Sequence, residues 1–203
     1  MFETLTPTEE KAFKRCNTPA KIQDYLNRLK NNWEPAGDTC RSPRVVMQEG
    51  SAHCIEGAIL AAAMLLYHGE KPLLLDLRAK RKDLDHVVAL FKRDNHWGAI
   101  SKTNHAVLRY REPVYKTIRE LALSYFHEYF TNDGTKNLVS YSKPLNLFVF
   151  GDNWITTEEE LWGIPDTLEE QPHYLLYPKG LDKHFRLADA IERTAGTITE
   201  WQR

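Results

Sequence analysis

The sequence predicts an α+β domain in which a central buried helix packs on an antiparallel sheet. Three observations predict it. Cys54–Leu66 is apolar almost all round, with Glu56 its only charge, so it belongs inside a domain rather than on its surface. Short strand-like runs then follow one another from Pro72 to Tyr110. Helical segments come before that run instead of alternating with it, the order of an α+β fold rather than a parallel one. At 203 residues the chain suits one domain spanning 1–203, and no repeat or Pro/Gly/Ser-rich linker divides it.

In chain order, Thr18-Pro19 opens the first expected helix, Thr as N-cap and Pro at the first helical position. Ile22, Tyr25, Leu26 and Leu29 then recur at helical spacing, leaving Lys21, Asp24 and Lys30 for water. Glu34–Gly50, with two prolines and two glycines, is expected as a long loop, and long ordered loops tend to be functional. The apolar helix follows from a cap at Ser51 and stops at His68-Gly69. Strands are expected at Pro72–Leu77, His86–Phe91, Trp97–Ile100 and His105–Tyr110, with Asp94-Asn95 suited to a hairpin turn. Tyr115–Phe130 returns to helical period; its aromatic residues at that spacing read as core. Beyond it, Asn137–Ser142, Leu145–Phe150 and Tyr174–Tyr177 are expected as strands. Thr157–Trp162 is expected as a short helix, and Leu181–Thr197 as a terminal one.

Charge and composition exclude several functions. Lys+Arg total 27 against Asp+Glu 28, so bulk positive charge does not point to nucleic acid. No segment reaches the roughly 18 apolar residues of a membrane span, Ile55–Tyr67 stopping short. Met1–Leu5 lacks the basic patch and apolar run of a secretory signal. Three cysteines at wide spacing (Cys16, Cys40, Cys54) make neither a disulfide framework nor a C-x-x-C zinc pair. A reduced, cytoplasmic setting is the expectation.

Chemistry centres on Cys54, in the first turn of the apolar helix. Unpaired N–H groups and the helix dipole there favour thiolate over thiol. The plainer reading is a small buried apolar residue, which most free cysteines are. His86 opens a strand 32 residues later in otherwise apolar surroundings, placed to serve as general base; the plainer reading is a hydrogen-bonded core or edge histidine. His53 neighbours Cys54 but is expected on another helix face. His96 falls in a hairpin turn and His105 opens a strand, and none of these shows metal-ligand spacing. The basic run Ala79-Lys80-Arg81-Lys82 reads as a solvated turn, with recruitment of an anionic substrate toward His86 as the alternative.

A cysteine starting a central apolar helix, a strand, then Asp85-His86-Val87-Val88-Ala89-Leu90 and a hairpin with Trp97-Gly98 resembles the transglutaminase-like superfamily, relatives of papain-like cysteine peptidases. The likeness covers Arg44 to Asn104, about a third of the chain. It implies a Cys-His-Asp triad for acyl transfer, with Cys54 as nucleophile and His86 as base. The family's aspartate, four residues after an aromatic, falls here on Ser101, which can orient a histidine but brings no charge. Asn104 is the alternative orienter. Asp83 and Asp85 are nearer in sequence, with Asp85 poorly placed because strand neighbours point to opposite faces. Gln48, six residues before Cys54, matches the offset of the papain-like oxyanion-hole glutamine.

The expected function is therefore thiol-dependent acyl transfer on an amide or peptide substrate, a protein included, resolved by water or an amine. The alternative is a catalytically inactive member of the fold serving as a protein-binding module. No cofactor is implied; calcium, which animal relatives use, finds no EF-hand-like loop. Nucleic acid and membrane are not expected partners, and oligomeric state is not legible.

Overall fold

A computed structural model describes residues 2–80 and 85–202. The chain begins with a helix absent from the expectations, α1 (Pro7–Arg15). Thr6-Pro7 starts it, and Glu9 closes a capping box by accepting the Thr6 N–H at 2.7 Å. Next come α2 (Pro19–Arg28), where expected, and β1 (Lys30–Asn31). The expected Glu34–Gly50 loop is shorter, because Ser42-Pro43 starts α3 (Pro43–Glu49), which ends on Gly50 at φ 65°. Glycine meets that left-handed conformation without strain. β2 (Ser51–Ala52) pairs parallel with β1, so the cap of α4 (Cys54–Tyr67) is His53 and not Ser51.

β3 (Leu73–Ala79), β4 (His86–Arg93) and β5 (His96–Ile100) form the expected meander. Asp94 and Asn95 turn the hairpin at φ 45° and 61°. His105–Tyr110 is not a strand: only His105 bridges, to Thr199, and Leu108 sits at φ 61°, which breaks extended backbone. The next strand is β6 (Arg111–Tyr115). The following helix, α5 (Ile118–Phe126), is shorter than expected because Tyr115 is spent on pairing with Trp97 and Thr117 caps the helix.

β7 (Leu138–Ser142) is followed by β8 (Leu145–Asn146). From Leu147 the chain coils into a 3-10 turn rather than continuing to Phe150, as the Asn146 side chain accepts the Phe148 N–H at 3.1 Å. Thr157–Trp162 is not helical. The Glu160 carboxylate accepts the Cys40 N–H and Leu161 N–H donates to the Cys40 carbonyl, so the segment lies against residue 40. Its helix comes one step later as α6 (Gly163–Glu170). β9 (His173–Leu175) and α7 (Ala190–Thr197) complete the chain, the terminal helix being half the expected length.

Among the described residues the main sheet has seven strands, all antiparallel, in the order β6-β5-β4-β3-β7-β9 with β8 also on β3. Both faces are covered. Leu74, Val87, Ala89, Phe91 and Ile100 join α2 and α4 in one core. Leu75, Leu77, Val88, Leu90 and Ala99 join α5 in the other. Strict alternation along each strand assigns these sets, and burial of each large aliphatic side chain contributes about 1.5–3 kcal/mol. Helix α4 lies between α2, α3 and β4, its residues Ala58–Leu65 essentially without solvent contact. No described helix is long and apolar enough to cross a membrane.

Candidate active site

Two elements meet at the site. Cys54 is the first residue of α4 and partly exposed, while His86 is the first residue of β4 and buried. Packing of α4 on β4 sets the imidazole close enough to favour the charged thiol.

The tautomer of His86 follows from its neighbours. The Ser101 hydroxyl donates to the Leu108 carbonyl at 2.6 Å, which uses its only proton. Its oxygen therefore accepts from His86 Nε2–H, 2.8 Å away, and leaves Nδ1 for the Cys54 sulfur. Ser101 is 1% exposed and clamped from α2: its N–H donates to Gln23 Oε1 at 2.9 Å, and its carbonyl accepts from Gln23 Nε2 at 2.8 Å. Gln23 thus fixes the residue that fixes the histidine.

A second imidazole lies on the same sulfur. His53 does not turn away from Cys54, as its sequence position suggested; it is the N-cap of α4, and it and the thiol each favour the other's charged form. Its Nε2–H donates to the Thr39 carbonyl at 2.9 Å, so Nδ1 is the nitrogen left for sulfur. Burial alone would push the Cys54 thiol up, but hydrogen bonds from His53 and His86, with the charge on both rings, bring it down to about 5. Burial opposes charge on His53, yet its bond to Cys54 and the charges of Cys54 and Glu56 raise it to about 9. Between those values the arrangement is a thiolate–imidazolium pair.

Glu56 holds this corner together. Fully buried, its carboxylate accepts from Thr39 Oγ1 at 2.8 Å, His53 N–H at 3.0 Å, Arg41 N–H at 3.1 Å and Asn32 Nδ2 at 3.1 Å. The single charge of an otherwise apolar helix therefore ties the 32–41 loop to the first turn of α4. The other two thiols differ: burial first of all pushes both Cys16 and Cys40 up.

Two expected site residues are not brought to the sulfur. Asn104 spends its amide on the chain end, donating to the Trp201 carbonyl at 3.0 Å and accepting the Trp201 N–H at 2.8 Å. Gln48 is exposed on α3 and lines a groove with α1 and α2 residues, so the oxyanion role is not supported by its position. Asp85 instead accepts the Ala79 N–H at 2.7 Å. Asp83, Arg81 and Lys82 lie outside the described residues, while Lys80 pairs with Asp182 at 2.6 Å. His96 and His105 bond the carbonyls of Asp94 and Gly196. Among the described residues no three His, Cys, Asp or Glu side chains group as metal ligands.

Sequence reasoning missed His53, Glu56 and Gln23. The signal for the first two was present, since a residue just before the helix followed three positions later by Glu is the capping pattern. Gln23 gave none, as its partner is 78 residues away. No family model and no curated protein matches the chain.

Proposed function

We propose that the chain is a thiol-dependent acyl-transfer enzyme of transglutaminase-like, papain-like architecture, acting on an amide or peptide bond. The observation that carries this is a partly exposed thiol at a helix start whose sulfur meets two imidazoles, one of them held by Ser101. The Cys54 thiolate adds to the substrate carbonyl carbon, forming an S–C bond. The C–N bond then breaks as His86 delivers a proton to the departing nitrogen, leaving a thioester. Water or an amine, deprotonated by His86, attacks the thioester and releases Cys54. The helix dipole and the neighbouring imidazoles favour the anion at the start.

Ser101 orients the base without charge, and His53 supplies a positive charge beside the sulfur. The neutral Ser101 is also what favours the second reading, a catalytically silent module of the same architecture. Iodoacetamide labelling of each cysteine against pH, read by peptide mass spectrometry, separates them. The enzyme reading expects Cys54 to label well at pH 6, ahead of Cys16 and Cys40, with that lead reduced in His86→Ala and lost in the His53→Ala, His86→Ala double variant. Labelling of Cys54 only near pH 8.5, the free-thiol range of about 8.5, would leave the module.

A further inference from the structure

Helices α1 and α2, with Met47 and Gln48 of α3, enclose a groove of about 750 Å³, and none of its lining residues belongs to the Cys54 site. Five of them are cations: Lys11, Lys14 and Arg15 on α1, Lys21 and Arg28 on α2. The carboxylate in the wall, Glu9, is already held by Arg44 at 2.8 Å and the Thr6 N–H at 2.7 Å. Lys14 pairs with Glu10 at 2.7 Å, and Lys21 donates to Asn17 Oδ1 at 2.9 Å. Lys11, Arg15 and Arg28 have no hydrogen bond or ion pair among the described residues. In a chain whose net charge is -1, five cations facing one groove are a local concentration of positive field.

Local structure accounts for only part of this. Lys14, Arg15 and Arg28 lie in last turns, where a cation complements the helix dipole. Lys21 lies in the first turn of α2, where the dipole disfavours it and no acidic residue offsets it. Arg28, Arg15 and Lys21 nevertheless converge from two helices: all three act on the thiol of Cys16 in the groove wall, with the exposed Asp24 opposing them. Burial remains the largest influence on that thiol and pushes it up, so Cys16 is wall and not nucleophile.

The apolar side of the groove is Tyr25 and Met47, each half-buried against the core, followed on α3 by the exposed Gln48. Tyr25 stands one turn from both Lys21 and Arg28, so ring and cations share a helix face. Charges that converge on one residue suit the adjoining charges of a phosphoanhydride. The carboxylates of an extended acidic peptide stand about 7 Å apart along a face. A guanidinium binds phosphate bidentately, and an aromatic ring stacks on a nucleobase. The volume is that of a small-molecule pocket. We propose that the α1–α2 groove binds a nucleoside di- or triphosphate, its phosphates held by Arg15, Lys21 and Arg28 and its base on Tyr25.

Isothermal titration calorimetry with ADP, pyrophosphate and geranyl diphosphate, free of divalent metal, tests this. One-site binding of ADP is expected, with pyrophosphate weaker by at least about fivefold because it lacks the base. Arg15→Gln and Arg28→Gln change exposed, unpartnered side chains, so the fold is retained. Each weakens ADP binding about tenfold, as loss of a hydrogen bond to a charged group does. Lys143→Gln, at an exposed lysine outside the groove, leaves it unchanged. Tyr25→Leu keeps an apolar side chain against the core and brings ADP down to the affinity of pyrophosphate. Absence of ADP binding, pyrophosphate or geranyl diphosphate binding as tightly as ADP, or an equal loss in Lys143→Gln would overturn the proposal. Cys54 labelling stays as in wild type in every variant. Failure here therefore leaves the acyl-transfer reading standing, and an inert Cys54 leaves the groove standing.

Discussion

One serine decides how the histidine is used. The Ser101 hydroxyl, its proton committed to the Leu108 carbonyl, can only accept from His86 Nε2. Ser101→Ala removes that acceptor, and transfer from p-nitrophenyl acetate should fall by about 10²-fold, the lower end for a general acid–base group. Acetylation of Cys54 by that ester should survive at reduced rate, because His53 still favours the thiolate. The two imidazoles fix the sign of the pH response. Cys54 is lowered to about 5, so the thiolate forms as pH rises through that value, and His53, raised to about 9, keeps its charge until pH climbs past it. Cys54 labelling should therefore rise around pH 5 and stay level through neutrality, while His53→Ala should move the rise upward. Glu56 acts on the scaffold beneath. Glu56→Ala strands the His53 and Arg41 N–H groups and the Asn32 amide, and a loss of about 3–5 kcal/mol is expected in urea unfolding, as for other broken buried charge networks.

Elements approach one another as closely as their side chains allow, and α4 is shaped for that. A Cβ on Gly57 would come within 2.3 Å of Lys102 Cβ. Alanine is the better helix former by about 1 kcal/mol, yet Gly57→Ala should destabilise by about 1–3 kcal/mol through overpacking. It would also push the Ser101–Lys102 segment outward, so labelling of Cys54 should lose its His86 dependence; Tm and the labelling profile check the two effects. Lys102 itself is buried with its ammonium on the Leu29 carbonyl at 2.5 Å, and burial pulls it down to about 8. At the far side of the sheet, His173 joins β9 to β3. Its Nδ1 lies 2.7 Å from the Gln171 carbonyl and its Nε2 2.9 Å from Asp76 Oδ2. Asp76→Ala leaves that ring buried without its partner, and β9 amides should then be the first to gain hydrogen exchange.

Across the whole molecule, the chain end is folded back over the site's supporting strand. Asn104 binds Trp201 through both ends of its amide and accepts the Glu200 N–H on its carbonyl. Asn104→Ala should free the last residues to proteolysis and leave the pH profile of Cys54 labelling unchanged, the opposite of what an orienter of His86 would do. Much of this architecture was legible locally. The apolar run of α4 admitted only a buried helix, Asp94-Asn95 suited a hairpin turn, and short apolar or β-branched runs marked β3 to β5. Cys54 and His86 were singled out by their places on those elements, and Ser101 by the family resemblance. Where boundaries failed, a distant partner had taken over: Glu160 bound residue 40, and Tyr115 was drawn into a strand. Asn104 and Gln48 lie elsewhere because a side chain's surroundings are chosen in space: Asn104 binds Trp201, and Gln48 lines the groove with α1 and α2. The sequence by itself determined the apolar helix and the meander beside it, because local propensity, capping and periodicity act over a few residues. Only the tertiary structure decided which imidazoles reach the thiol and which residue holds them. Those contacts span up to 78 residues, between Gln23 and Ser101, and no local rule encodes them.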